Sequence, residues 1–106
     1  MAQFVFSRWL EDFLAGPFLR FEWDEGNSKK SLEKHGIGIL ETEQAFYDQK
    51  RVCLGKQVFP VFDEDRYAFI GRGEGELLFI CFTLRGARIR VISARKANKK
   101  ERKIYE

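Results

Sequence analysis

A chain of 106 residues with 44% hydrophobic content and 11 Phe is long enough for one small domain with a hydrophobic core, which excludes a disordered chain. No apolar run approaches the ~20 residues of a membrane span, and Glu11 and Asp12 interrupt the stretch in which a signal peptide needs its apolar segment. The sequence therefore predicts a cytoplasmic protein, with Cys53 and Cys81 as buried thiols rather than a disulfide.

The net charge of +3 is distributed unevenly along the chain. Residues 85–106 hold nine Lys or Arg and two Glu, a net +7, whereas the preceding 84 residues carry a net −4. A positive block within a folded segment is typical of surfaces that bind phosphate on nucleic acid or another polyanion. An ordinary solvated basic helix explains the charge equally well, so charge alone leaves both interpretations open.

The N-terminal half predicts three helices and one short strand. Apolar residues recur with helical spacing between Phe6 and Leu14, and Gly16-Pro17 ends that helix. The elements that follow are a strand over residues 18–23, a helix that begins at Asp24 and ends at Gly36, and a short helix over residues 41–47 with Ala45 and Phe46 turned inward.

From residue 51 the apolar pattern changes to the period of two that indicates strands. The predicted strands cover residues 51–54, 58–62, 66–72, 76–83 and 87–94, and glycine-containing turns join the last three into an antiparallel meander. In the last strand Arg88 and Arg90 alternate with apolar residues, so one sheet face carries arginines. Asn98 and Glu101 resemble a capping box that begins a C-terminal helix. The predicted fold is α+β: N-terminal helices, a twisted antiparallel sheet, then a helix.

Two sets of residues are candidates for chemistry. His35, the only histidine, titrates near neutral pH and is a candidate general acid or base; its alternative role is to cap the free carbonyl groups at a helix end. Guanidinium groups bind phosphate through two parallel hydrogen bonds and stay charged. The five candidates, which come from three adjacent strands and their turns, are Arg72, Arg85, Arg88, Arg90 and Arg95. One or two of them are expected to form surface salt bridges with nearby Glu74, Glu76 or Glu101 instead.

The sequence contains no convincing metal or cofactor motif. Asp63, Glu64 and Asp65 invite a metal hypothesis, but three consecutive side chains converge poorly, which favours a solvated turn. A Walker-type glycine loop, zinc-ligand spacing and a Ser–His–Asp pattern are all missing. We therefore expect neither a metal site nor a cofactor.

Several local motifs together resemble the BrnT family of bacterial toxins. The resemblance covers residues 21–106. Asn27 and Ser31 depart from it, since Lys and Asn are usual at these positions. The motifs that carry the resemblance are Phe21-Glu22-Trp23-Asp24, Lys34-His35-Gly36, Ala45-Phe46, Ile70-Gly71-Arg72, Phe82-Thr83-Leu84-Arg85-Gly86, the run from Arg88 to Arg95 (RIRVISAR), and Ala97, Glu101, Arg102 and Tyr105.

The resemblance implies a toxin of a type II toxin–antitoxin system with a RelE-like fold. Such a toxin is a metal-independent ribonuclease that a ribbon-helix-helix antitoxin, BrnA, neutralises, and the complex binds its promoter DNA through the antitoxin. The implied organisation is a single domain over residues 1–106, in which residues 1–20 form a helical extension without a family counterpart. Whether the chain forms a homodimer stays open.

The leading hypothesis is therefore an endoribonuclease that cleaves cellular RNA. His35 is the candidate base or acid, Lys34 adds positive charge, and Tyr105 or Glu101 is the second proton-transfer group. The candidates that hold the scissile phosphate are Arg72, Arg85 and Arg90, and the further RNA-binding candidates are Arg88, Arg95, Lys96 and Lys99. The alternative is a non-catalytic module whose basic surface binds nucleic acid or an acidic protein.

Overall fold

The computed structural model describes residues 2–106, which form six strands and four helices. In chain order these are β1 (Gln3–Val5), α1 (Arg8–Leu14), β2 (Arg20–Phe21), α2 (Lys30–His35), α3 (Ile39–Phe46), β3 (Val52–Phe59), β4 (Tyr67–Arg72), β5 (Leu77–Arg85), β6 (Arg88–Lys96) and α4 (Lys99–Tyr105). The mixture of helices and strands confirms the predicted α+β composition. No helix within residues 2–106 is long and apolar enough to cross a membrane.

All six strands belong to one sheet, in the order β1-β3-β4-β5-β6-β2. The four strands from β3 to β6 pair antiparallel with their chain neighbours, which confirms the predicted meander. The two edges of the sheet come from the N-terminal segment: β1 pairs antiparallel with β3, and β2 pairs parallel with β6. The predicted order, with helices first, is wrong because β1 precedes α1.

Strand β3 is longer than its sequence pattern indicated. Residues 52–54 and 58–59, from the two segments predicted as separate strands (51–54 and 58–62), belong to one strand that continues through Lys56 and Gln57, and residues 60–62 lie outside it. The pairing register of β3 with β4 shifts between Cys53 and Gly55. Gly55 has a φ of 103°, and a Cβ at this position would collide with the backbone of β1. The bulge disturbs the alternation of side chains, so the sequence pattern predicts two strands where the structure has one.

The segment between β2 and α2 differs from the predicted strand and helix. The strand expected over residues 18–23 contains only Arg20–Phe21, and the helix expected from Asp24 begins at Lys30. Asp24 forms a turn instead: its carboxylate accepts a hydrogen bond from the Gly26 N–H, and its own N–H donates to Asn27 Oδ1, both at 2.8 Å. Local side-chain hydrogen bonds of this kind compete with helix formation.

One face of the sheet, which we call the core face, carries the main hydrophobic cluster. Helices α1 and α3 contribute Leu10, Leu14, Ala45 and Phe46 to this cluster, and all four side chains are fully buried. The predicted inward orientation of Ala45 and Phe46 is confirmed. Cys53 and Cys81 are both buried free thiols. Helix α1 therefore packs against the core of the molecule.

Helix α4 packs against the opposite face of the sheet. It covers a second, smaller cluster in which Ile70, Leu77 and Ala97 are buried and Tyr105 is partly buried. The predicted capping box is confirmed, because the Asn98 side chain accepts from the Glu101 N–H and the Glu101 carboxylate accepts from the Asn98 N–H, both at 2.9 Å.

Candidate active site

The five candidate arginines lie on the face that α4 partly covers, which we call the arginine face. On β5 the side chains alternate between the core face and this face, and residues paired across neighbouring strands share a face. Arg95 is the register partner of Phe79, Arg90 of Thr83 and Arg88 of Arg85. The prediction that Arg88 and Arg90 lie on one sheet face is confirmed, and the register places Arg72, Arg85 and Arg95 on the same face.

The arginines form two groups at opposite ends of this face. Arg72 is paired with Leu77 at the start of β5, and Arg85 lies at the end of the same strand. A strand rises about 3.3 Å per residue, so eight residues separate these two positions by about 26 Å. One phosphate cannot contact both arginines. We refer to Arg85, Arg88 and Arg90 as the turn cluster, and to Arg72, Arg95, Glu101 and Tyr105 as the α4 cluster.

In the turn cluster, two carboxylates from the β2 region bind arginines. Arg90 donates two hydrogen bonds to Asp24, at 2.9 and 3.0 Å, and lies 3.7 Å from Glu22. Glu22 also lies 3.5 Å from Arg85. The hydrogen bond from Arg90 lowers the pKa of Asp24, and the same interaction raises the pKa of Arg90. Arg88 is exposed and forms no ion pair within residues 2–106.

In the α4 cluster, Arg95 is fixed from two sides. Its guanidinium donates to both carboxylate oxygens of Glu101 at 2.8 Å and stands 4.4 Å from the centroid of the Phe79 ring. Burial acts to raise the pKa of Glu101, but the hydrogen bonds from Arg95 and the Asn98 N–H outweigh it and lower that pKa. Glu101 therefore remains ionised and is a weak base.

Tyr105 is oriented by Asp48, which follows α3. The Tyr105 hydroxyl donates to Asp48 Oδ2 at 2.7 Å, the same oxygen accepts from the Arg72 N–H at 2.8 Å, and the Arg72 guanidinium lies 5.6 Å from the Tyr105 ring centroid. Burial and the bond to Asp48 raise the pKa of Tyr105. Burial opposes ionisation of Asp48, yet the hydrogen bonds from Tyr105, Arg72 and Lys50 lower its pKa. Tyr105 is therefore a poor base that retains its proton.

Lys34 and His35 lie at the end of α2, which runs beside β6. The Ser31 hydroxyl accepts a hydrogen bond from the Ala94 N–H at 2.8 Å, and His35 follows one helical turn later, about 6 Å along the helix. The Ser31 contact places α2 beside β6 at Ala94, the chain neighbour of Arg95. Within residues 2–106 the His35 side chain forms no hydrogen bond or ion pair with the candidate arginines.

Two carbonyl groups of α2 accept hydrogen bonds from the backbone that follows the helix. Gly36 adopts the left-handed conformation with a φ of 73°, its N–H donates to the Leu32 carbonyl, and the Ile37 N–H donates to the Ser31 carbonyl. These are the backbone hydrogen bonds of a glycine-terminated helix. The His35 ring is thus partly exposed and available for other contacts.

The other sequence candidates lie outside these two clusters. Lys96 is within 3.8 Å of Glu76, and Lys99 is exposed at the first position of α4. In the acidic run, Asp65 lies 3.4 Å from Lys56 and Glu64 lies 3.9 Å from Arg66. Within residues 2–106 no three His, Cys, Asp or Glu side chains are grouped as metal ligands.

Sequence reasoning missed the acidic partners of the arginines. The sequence predicted salt bridges with acidic residues close in the chain, and Glu101 is one of these. Glu22 and Asp24 are distant in the chain and reach the arginines through the parallel pairing of β2 with β6. Asp48 was missed because it gave no motif signal.

The two departures from the BrnT pattern are buried structural residues. The Asn27 side-chain amide donates to the Glu22 and Val91 carbonyls, and the Ser31 hydroxyl accepts from the Ala94 N–H.

Comparison with protein families settles the class of protein. Residues 23–101 match the family described as "Ribonuclease toxin, BrnT, of type II toxin-antitoxin system". The chain belongs to this family. Comparison with curated proteins gives no match. As a member, the chain is a ribonuclease toxin of a type II toxin–antitoxin system, which implies an RNA target and an antitoxin partner. The first 22 residues, which contain β1, α1 and β2, lie outside the matched range.

Proposed function

We propose that the protein cleaves cellular RNA internally, without a metal ion, at the α4 cluster. The observation that carries the proposal is the grouping in that cluster of two arginines with a tyrosine whose proton is retained. Arg95 and Arg72 both contact α4, one through Glu101 and the other through Tyr105. Proton-transfer candidates and guanidinium groups therefore lie together at this end of the arginine face.

The reaction needs three contributions from the protein. A base removes the proton of the RNA 2′-hydroxyl, the 2′-oxygen bonds to phosphorus as the bond to the 5′-oxygen breaks, and an acid protonates the departing 5′-oxygen. Arginines stabilise the negative charge that develops on the phosphate oxygens. The products carry a 2′,3′-cyclic phosphate and a 5′-hydroxyl, so no water or external reagent enters this step.

We assign these roles by chemistry and position. His35, with Lys34 beside it, is the proposed base, because a neutral imidazole accepts a proton near pH 7. Tyr105 is the proposed acid, because its hydroxyl carries a proton near pH 7 and its ring lies beside Arg72 in the same cluster. Arg95 and Arg72 hold the scissile phosphate. Glu101 and Asp48 are positioning residues that orient Arg95 and Tyr105.

Two arginines of the turn cluster, Arg85 and Arg90, receive a different role from the predicted one, whereas Arg88 keeps its predicted role in RNA binding. Arg85 lies six residues along β5 from Phe79, the residue beneath Arg95, which corresponds to about 20 Å. We therefore propose that Arg85, Arg88 and Arg90 bind RNA phosphates away from the cleavage position. Lys96 and Lys99 extend the positive surface on the side of the α4 cluster.

The test is to incubate purified protein with RNA in EDTA and to map the new ends. We expect cleavage to continue in chelator and to leave cyclic phosphate and 5′-hydroxyl ends. Arg95→Ala should lower kcat by about 100-fold or more, because removing one donor to transition-state charge has effects of this size. Arg102→Ala, a matched exposed arginine on α4, should change kcat little. Activity that disappears in EDTA and returns with Mg²⁺ would exclude this mechanism.

Several finer properties belong to the same proposal. We infer a RelE-like fold in a single domain, a cytoplasmic location and a ribbon-helix-helix antitoxin of the BrnA type, through which the complex binds promoter DNA. The +7 charge of residues 85–106 supports an acidic antitoxin surface, whose association rate should fall with rising salt. If an antitoxin that co-purifies with the chain leaves RNA cleavage unchanged, this assignment of the partner fails.

A further inference from the structure

Two members of the turn cluster, Arg85 and Arg88, belong to a row of three arginines on three neighbouring strands. Arg20 in β2 is the register partner of Arg88 in β6, and Arg88 is the register partner of Arg85 in β5. Partners on neighbouring strands point to the same face, so the three side chains lie within two strand spacings, about 10 Å. All three are exposed.

The row carries more positive charge than its surroundings neutralise. Like charges directly opposite each other destabilise a sheet. Within residues 2–106 a single ion pair reaches the row, between Arg85 and Glu22 at 3.5 Å, and Glu22 is shared with Arg90. A bound polyanion would relieve the remaining repulsion, since it would place a negative group next to each guanidinium.

An exposed aromatic ring lies beside this row. Phe18 is 90% exposed, the largest exposed fraction among the large hydrophobic side chains of residues 2–106. Together with Arg20 and Ala87 it lines an open cleft of about 310 Å³. Aromatic rings next to basic groups are the arrangement by which proteins bind single-stranded nucleic acid, because the rings stack on bases and the cations bind phosphates.

We propose that Phe18, Arg20, Arg85 and Arg88 form a subsite for single-stranded RNA, in which a base stacks on Phe18 and the flanking phosphates bind the arginine row. The proposal rests on the proposed ribonuclease function and describes how the substrate is held away from the cleavage position. Phe18 and Arg20 precede residue 23, where the family match begins, so the subsite uses residues outside it.

Single-stranded RNA explains this surface better than an acidic protein does. A carboxylate would bind the arginines alone, whereas a nucleotide binds them through its phosphate and also stacks its base on the exposed ring of Phe18. The subsite also lies about 20 Å along the sheet from Arg95, which means that only an RNA of several nucleotides can occupy both positions. A dinucleotide substrate should be insensitive to the subsite.

The test measures binding of an RNA that cannot be cleaved. The probe is a fluorescein-labelled, fully 2′-O-methylated single strand of about 12 nucleotides, a length within the range that single-strand sites cover. Fluorescence anisotropy gives its Kd at several salt concentrations. The variants are Phe18→Ala, Phe18→Trp and Arg20→Ala, and the matched controls are Val61→Ala and Arg8→Ala, which change exposed residues elsewhere.

We expect Phe18→Ala to raise the Kd by about 5- to 150-fold, the range for loss of one stacked base. Phe18→Trp keeps an aromatic ring at this position and should bind RNA as tightly as the unmodified protein. Arg20→Ala should raise the Kd and reduce the slope of log K against log salt by about 0.7, the value for one phosphate contact to a single strand. Both controls should bind like the unmodified protein. Cleavage of a dinucleotide should be unchanged in every variant.

Unchanged RNA binding by both Phe18→Ala and Arg20→Ala would overturn the subsite. So would variants that retain RNA affinity but lose affinity for the antitoxin, because the surface would then be a protein interface. Since the probe is not cleaved, this result is separate from the ribonuclease proposal. A chain that cuts no RNA but binds it through Phe18 and Arg20 would contradict the proposed function and leave the subsite supported.

Discussion

The substitution Glu101→Gln tests the central contact of the α4 cluster. Glu101 accepts two hydrogen bonds from Arg95 and one from the Asn98 N–H. Gln has nearly the same shape and also serves in a capping box, so the helix cap is retained. The substitution therefore removes the negative charge opposite Arg95 and little else. Glu106→Gln is a matched control, because it makes the same change of net charge at an exposed position at the end of α4.

The expected loss of stability follows from how far the pair is shielded from water. The Glu101 side chain is 12% exposed and that of Arg95 is 35% exposed. Exposed ion pairs contribute about 0.2–1 kcal/mol, and breaking a buried pair costs about 3–5 kcal/mol. An intermediate pair with two hydrogen bonds should contribute about 2 kcal/mol to the free energy of unfolding. For a domain of this size that lowers Tm by about 8 °C.

The same substitution should strengthen RNA binding, because it frees the Arg95 guanidinium to bind phosphate. Differential scanning calorimetry gives the change in Tm, and anisotropy with an uncleavable RNA gives the change in Kd. We expect Glu101→Gln to melt lower and bind RNA more tightly than Glu106→Gln. If the two variants melt at the same temperature, the ion pair does not hold α4 in place. If they bind RNA equally, Arg95 is not a phosphate ligand and the proposed active site is wrong.

Three further predictions concern the remaining contacts and the core. Tyr105→Phe removes the proposed acid and should lower kcat while leaving RNA affinity nearly unchanged; equal kcat in the variant and the unmodified protein, measured at several pH values, would exclude Tyr105 as the acid. Leu10→Ala, at a fully buried position of α1, should lower the free energy of unfolding in urea by about 2–5 kcal/mol, and a loss below about 1 kcal/mol would contradict the packing of α1 on the core. The pKa values of Asp24, Asp48 and Glu101 are lowered by folding, so the unfolded chain binds more protons than the folded chain near pH 4. The stability that these three carboxylates contribute should be fully present above about pH 5 and should be lost as the pH falls through their pKa values in the folded protein. Urea unfolding midpoints between pH 3 and 7 should show this loss, and it should be smaller in Glu101→Gln.

The arginine face could be predicted from the sequence because local rules determine it. Alternation of charged and apolar residues in β6 assigns Arg88 and Arg90 to one face, and the turns on either side of β5 force neighbouring strands to pair antiparallel. The capping box at Asn98 and the glycine end of α2 are likewise local hydrogen-bond patterns. These features depend on near neighbours in the chain and were predicted correctly, whereas the helix start predicted at Asp24 was wrong.

The division of the arginines between two ends of the sheet could not be predicted in the same way. Each candidate was identified by residue type and by face, and neither property gives the position along a strand relative to another strand. That position follows from strand register, which places Arg72 opposite Leu77 and Arg85 opposite Arg88. The sequence thus identified the candidate residues, and the register of the strands determined which of them share a site.

The sequence by itself determined the class of the protein: an α+β chain whose charge pattern and motifs indicate the BrnT family, as the match over residues 23–101 confirms. Only the tertiary structure decided where β2 lies and which acids meet the arginines. The parallel pairing of β2 with β6 joins residues more than 60 positions apart, and it brings Asp24 to Arg90 and Arg20 to Arg88. A two-residue strand such as β2 is too short to show an alternating pattern in the sequence. Its pairing with β6 depends on the free edge of the completed sheet, which does not exist until the chain has folded.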